Sequence, residues 1–212
     1  MFPIEAQAEM SQAVGYMKSV TIYFDVISSA SYLAWTQLPK LIAETGATVV
    51  YRPILLGGLF KAAGNRPPID VPAKAVYMAH DFKRFADRYG VPFVNSAYLA
   101  TSTAGMMRMA IGVMEQFPER FTAFVGELFR AIWVDGKDPG DQDVVTAAIM
   151  GAGLDPTIIA PLATDLAMKE KLRAHTDEAA ARGAFGAPTF FVGEEMFFGQ
   201  DRMDFVREAL RA

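Results

Sequence analysis

Apolar positions change rhythm along the chain, and each change marks an element. Ser19 to Val26 (SVTIYFDV) is β-branched and aromatic with little polar alternation, which predicts a buried strand. From Ala30 the period becomes helical: Ala34, Leu38, Leu41 and Ile42 share one face, and Gly46 stands where such a helix would end. Pro39 lies inside this helix, where it removes one backbone hydrogen bond and crowds the Trp35 carbonyl, so a kink is expected there. Ala47 to Pro53 (ATVVYRP) predicts a second strand and completes a β-α-β unit, expected to be a right-handed parallel crossover. The next stretch, ILLGGLFKAAGNRPPIDVPAK (54–74), is dense in Gly and Pro and reads as a structured loop rather than a regular element.

Helical periodicity then dominates. Segments near 75–89, 103–116, 141–151, 156–162 and 164–182 are separated by Gly, Pro and Asp, and Phe121, Val125, Leu128 and Ile132 line one face of a helix opened by Pro118. Strand character returns only in Thr189 to Val192 and Glu195 to Phe198, joined by Gly193-Glu194 as a tight hairpin, and a last helix spans Arg202 to Leu210. Neither terminal piece could bury its strands alone. The order therefore predicts an α/β domain split between 19–74 and 183–212, with an all-helical insertion over 75–182. Residues 1–18 read as a flexible extension, with Met17 as an alternative start.

Composition narrows the function. Hydrophobic residues make up 52%, ample for a core, and the net charge of −4 is spread without a basic stripe, which argues against nucleic acid or anionic lipid as partners. No apolar run approaches the roughly 20 residues that span a bilayer, and the first residues lack a signal-like pattern, so a cytoplasmic protein is expected. There are no cysteines, which removes disulfides, thiolate metal sites and any redox cycle on the protein's own thiols. His80 and His175 form no HExxH pair and are expected on partly exposed helix faces, so no metal site is predicted. Neither GxGxxG after the first strand nor GxxxxGK[ST] occurs, against a dinucleotide or P-loop site. The Met and Phe content is explained by core filling or, alternatively, by an aromatic-accepting pocket.

Three short stretches could carry chemistry. In FDVISSASYLA (24–34), Ser28 and Ser31 stand three apart at a strand-to-helix turn. Ser28 or Ser29 could cap the helix, the ordinary preference of serine, or donate a hydrogen bond to a sulfur anion held at the helix N-terminus. Ala187-Pro188 precedes the returning hairpin: a cis proline there would offer a backbone edge to an extended peptide, and a plain strand-initiating proline is the alternative. Asp201, after Phe198-Gly199-Gln200, could cap the last helix or hold an amino-acid-like ligand.

Together these stretches resemble the family of 2-hydroxychromene-2-carboxylate isomerases and kappa-class glutathione transferases. FDVISSASYLA, RPILLGGLFKAAGNRPP, VPAK, GAFGAPTFFV and FGQDR fall in the family's order over residues 19–211. The resemblance implies a thioredoxin-like fold of the DsbA type, glutathione as cofactor, a small aromatic substrate and a homodimer. It implies that Ser28 activates the glutathione sulfur, that Asn65 and Lys74 make polar glutathione contacts, and that Ala187 with a cis Pro188 pairs with the cysteinyl part. Gln200 and Asp201 would hold the γ-glutamyl end. The family usually carries Pro and an aromatic between the two serines, whereas this chain has Ser29 and Ala30, a change expected to loosen the turn and enlarge the pocket above the sulfur. The expected activity is a glutathione-dependent cis-trans isomerase of an aromatic-ring-degradation intermediate. A kappa-like transferase or peroxidase and a non-catalytic peptide- or thiol-binding module are the alternatives.

Overall fold

The protein is described here by a computed structural model covering residues 18–212, and the expectation for an N-terminal extension lies outside the described residues. Its sheet has the order β2-β1-β3-β4, with β1 (Ser19–Phe24) parallel to β2 (Thr48–Pro53). On the other side β1 pairs antiparallel with β3 (Thr189–Val192), and β3 with β4 (Glu195–Phe198). Chain-distant pieces thus share one sheet through the register Ile22 to Phe190.

Side chains alternate across a strand, so β1 serves two cores. Val20, Ile22 and Phe24 join the larger one, while Tyr23 meets Ile54, Leu59, Ala179 and Phe191 on the opposite face. Helix α1 (Ser29–Thr45) links the parallel strands, runs through Pro39, and ends at Gly46, whose φ of 66° is the left-handed geometry a glycine cap supplies.

The stretch 54–74 departs from the expected loop. Leu56–Ala62 is helix α2, Pro68–Asp70 is a 3₁₀ turn, and Pro72 opens helix α3 (Pro72–Tyr89). Two glycines do not break α2 because packing outweighs propensity costs of about 1 kcal/mol each. Leu59 is fully buried, and Gly58 faces the Thr176 methyl, which a β-carbon there would meet at 3.4 Å, so α2 is held by packing against a distant part of the chain. Pro68 and Pro72 occupy first-turn positions, where a missing N–H costs nothing.

Five helices follow: α4 (Ala104–Gln116), α5 (Phe121–Trp133), α6 (Gln142–Gly151), α7 (Pro156–Ile159) and α8 (Leu166–Ala181). The one-sided pattern of α5 understates its burial. Phe124, Phe129 and Trp133 are buried along with the expected Phe121, Val125, Leu128 and Ile132, because α5 packs against α1, α4 and α6. Its last residue reaches back to the turn after β1. Trp133 Nε1 donates to the Val26 carbonyl at 2.8 Å, and its ring stacks on Phe93 at 5.8 Å. Trp133→Phe orphans that buried carbonyl and leaves a cavity where the smaller ring falls short of the indole, so a stability loss of at least about 1–3 kcal/mol is expected. It should appear in urea unfolding as a lower midpoint with an unchanged m-value.

Candidate active site

Between β1 and α1 the chain turns through Asp25, Val26, Ile27 and Ser28. Ser28 N–H donates to the Asp25 carbonyl at 3.0 Å, and the Ser28 carbonyl accepts from Tyr32 N–H at 3.0 Å, so the turn runs directly into the helix. Ser28 is the N-cap, with an extended backbone and its Oγ accepting from Ser31 N–H at 3.1 Å. The same hydroxyl donates to the Ala187 carbonyl at 2.9 Å. One side chain thus caps the helix and faces the proline segment. Ser31 is fully buried, and its hydroxyl has no hydrogen-bond partner among the described residues.

The Ala187–Pro188 peptide is cis, as expected. Gly199 N–H donates to the Pro188 carbonyl at 3.0 Å, which brings the third sequence motif against the second. Ala187 is only 8% exposed, and among the described residues its N–H has no hydrogen-bond partner. Beside it, the half-exposed rings of Phe185 and Phe198 meet at 4.5 Å. A β-carbon on Gly186 would sit 2.7 Å from the Phe198 ring, so glycine lets that ring close over the segment.

Of the other residues singled out in the sequence, Asn65 joins the group directly. Its side-chain amide donates to the Phe185 carbonyl at 2.9 Å, tying the loop after α2 to the proline segment. Lys74 lies exposed on the first turn of α3 and forms no ion pair among the described residues. Gln200 and Asp201 adjoin the site through Gly199 and also border a cleft of about 390 Å³. Lys40, Arg88 and Arg207 line this cleft too, but neither Ser28 nor Pro188 does. Gln200 is buried, and its carbonyl accepts from Tyr89 Oη at 3.0 Å.

Asp201 does not cap the last helix. Residues Gln200–Arg202 form a 3₁₀ turn, helix α9 starts at Met203 rather than Arg202, and the cap position falls to Arg202 with no side-chain cap. The intervening turn moves the helix start past Asp201, whose carboxylate pairs instead with Arg202 at 2.5 Å. His80 is exposed, and His175 is half-buried with Nδ1 3.1 Å from the Pro53 carbonyl. Burial pushes the His175 pKa down, against the pull of that carbonyl.

Asp25 was not singled out by sequence. It is fully buried, with Oδ1 accepting from Thr103 Oγ1 at 2.7 Å and Ile27 N–H at 3.2 Å, and Oδ2 accepting from Leu56 N–H at 2.9 Å. One carboxyl thus joins the Ser28 turn, the start of α2 and the residue preceding α4. Burial pushes its pKa up, and the bonds from Leu56, Thr103 and Ile27 pull it partly back. No cation pairs with it among the described residues. An acid at the end of an otherwise apolar strand was the available signal.

A strand-turn-helix carrying a polar residue at the helix N-terminus, with a cis proline facing it, defines a thioredoxin-type site. Residues 19–211 match the family model described as the DSBA-like thioredoxin domain, and the chain belongs to that family. It is 36% identical over 196 residues to the 2-hydroxychromene-2-carboxylate isomerase of Sphingobium xenophagum, covering 91% of this chain and 98% of that protein. It is 30% identical over 204 residues to glutathione S-transferase kappa 1 of Caenorhabditis elegans, with coverage of 91% and 90%. Among solved structures, a 2-hydroxychromene-2-carboxylate isomerase superposes with a TM-score of 0.83 at 30% identity, covering 91% of this chain and 94% of that one.

Proposed function

We propose that the protein is a glutathione-dependent isomerase acting on an unsaturated carboxylate derived from an aromatic ring, such as 2-hydroxychromene-2-carboxylate. The observation that carries this reading is the Ser28 hydroxyl, held at the N-terminus of α1 and aimed at the residue before a cis proline. The residues present fit glutathione. The unpartnered Ala187 N–H supplies a donor for an extended peptide. Asn65 and Lys74 would stand toward one end of the tripeptide, and Gln200 and Asp201 toward the γ-glutamyl end. The likeness over 98% of a protein named as this isomerase supports the same choice.

When bound, glutathione would supply a thiolate that adds reversibly to an unsaturated carbon, allowing rotation about the former double bond before it leaves. The protein's part is to make that thiolate available and hold it dry. A free cysteinyl thiol has a pKa of about 8.5 and is only a few per cent ionised at neutral pH. The Ser28 hydroxyl and the unpaired N–H groups of the first turn of α1 would favour the anion. Phe185 and Phe198 would shield one side from water, and the small Ser29-Ala30 pair would leave room for a ring above the sulfur.

A kappa-like transferase is the second reading, favoured by the 30% identity to a kappa-class enzyme. Incubating the protein with glutathione and 2-hydroxychromene-2-carboxylate, and in parallel with a chlorinated aromatic electrophile, separates the two. The isomerase reading expects the opened trans isomer with glutathione unconsumed. Conjugate formation alone, with no isomer, would overturn it.

A further inference from the structure

Ser28 has one proton and two claims upon it. In the structure that proton goes to the Ala187 carbonyl at 2.9 Å, and the hydroxyl oxygen already accepts from Ser31 N–H. To reach a sulfur anion, the proton must leave Ala187. That would strip a donor from the carbonyl of a residue only 8% exposed, an unfavourable change unless another donor arrives. The neighbouring Ala187 N–H has no partner among the described residues, so the segment offers a free donor beside an occupied acceptor.

An extended peptide that pairs antiparallel with Ala187 corrects both at once, because a directly opposed residue exchanges an N–H and a C=O with its partner. We infer that Ser28 switches its hydrogen-bond acceptor on ligand binding, the thiol-bearing residue's own backbone N–H taking over the Ala187 carbonyl and so releasing the Ser28 hydroxyl to the sulfur. This rests on the glutathione reading above and deepens it. No covalent bond changes: the Ser28-to-Ala187 hydrogen bond breaks, a ligand N–H bond to Ala187 replaces it, and the Ser28 proton stays on its oxygen while turning to the sulfur. A carbonyl can accept two donors, but one hydroxyl proton cannot serve two acceptors at full strength.

The switch makes Ser28 a specificity-determining residue. Thiols presented on an intact peptide unit are activated; simple thiols, which bring no N–H for Ala187, leave the hydroxyl where it is. The backbone around Ser28 and the Gly199-to-Pro188 bond hold both sides of the switch in place, so only the hydroxyl need turn.

Two tripeptides test it by calorimetry, glutathione and the sulfur-free γ-glutamyl-alanyl-glycine. The sulfur-free peptide competes with Ser28 for the Ala187 carbonyl and gives the hydroxyl nothing in return. Ser28→Ala should therefore bind it roughly threefold or more tighter than the native protein, an amount typical of one hydrogen bond, while binding glutathione more weakly by a smaller factor, because the bond lost to the sulfur is partly offset by the freed Ala187 carbonyl. Equal or weaker binding of the sulfur-free peptide by Ser28→Ala would overturn the switch. If the native protein binds neither peptide, the glutathione reading itself fails, a result distinct from the first. A second measurement uses the native protein alone with glutathione methylated on its cysteinyl nitrogen, titrating the bound thiol by thiolate absorbance. The methylated thiol should ionise at higher pH than that of glutathione, and identical ionisation, or activation of a simple thiol such as 2-mercaptoethanol to the same extent as glutathione, contradicts the proposal.

Discussion

Ser28→Ala is expected to lower kcat by about 10²–10³-fold, the range found when one preorganised donor to a developing anion is lost. The KM for glutathione should rise less than about tenfold, since a single hydrogen bond is removed from a ligand with several. The asymmetry follows from geometry. The Ser28 hydroxyl lies against Ala187 at the centre of the site, whereas the residues assigned to the ends of the tripeptide, Asn65 and Gln200, lie on other elements and are untouched. Steady-state kinetics that show a raised KM with kcat unchanged would place Ser28 in binding rather than in activation. Loss of the N-cap bond to Ser31 adds a stability cost of about 1 kcal/mol, which does not enter kcat.

Asp25→Ala should have the largest effect on stability, a loss of about 3 kcal/mol or more, because three donors from three segments lose their acceptor together. Relief of the buried carboxylate's desolvation offsets part of this. The pH dependence gives an independent check. Burial raises the folded pKa of Asp25 above its unfolded value, so the folded state binds the proton more tightly. Its contribution to stability is fully present below the unfolded pKa and declines as pH rises through the folded one. Urea unfolding at acid and neutral pH should show that decline in the native protein and its absence in Asp25→Ala. An unchanged slope in the variant would mean that Asp25 does not titrate in this window.

Much of the site could be read from sequence because its parts are local. A β-branched run, a switch to helical period at Ala30 and a glycine at 46 place Ser28 at the head of a helix, where the structure has it. The hairpin about Gly193 matches residue for residue, since a left-handed turn residue between two apolar runs leaves little choice. What escaped depends on distant neighbours. Helix α2 was hidden by its glycines, whose cost is met by burial of Leu59 in a core shared with Ala179, far along the chain. The capping alternative for Asp201 fails because a 3₁₀ turn with no sequence mark of its own carries the helix start past it. Asp25 was read only as one residue of the first strand. Its burial is set by Leu56 and Thr103, which only the folded chain brings to it. For Ser28 the capping reading holds, and its second bond, to the Ala187 carbonyl, comes from a segment far along the chain that only the fold brings to it.

The central claim is that Ser28 holds a sulfur the protein does not own in its anionic form. The most direct test is to titrate bound glutathione by the ultraviolet absorbance of its thiolate, in the native protein and in Ser28→Ala. The native protein should ionise the thiol well below its free value of about 8.5, and the variant should return it at least a unit toward that value. Equal pKa values in the two proteins would contradict the account.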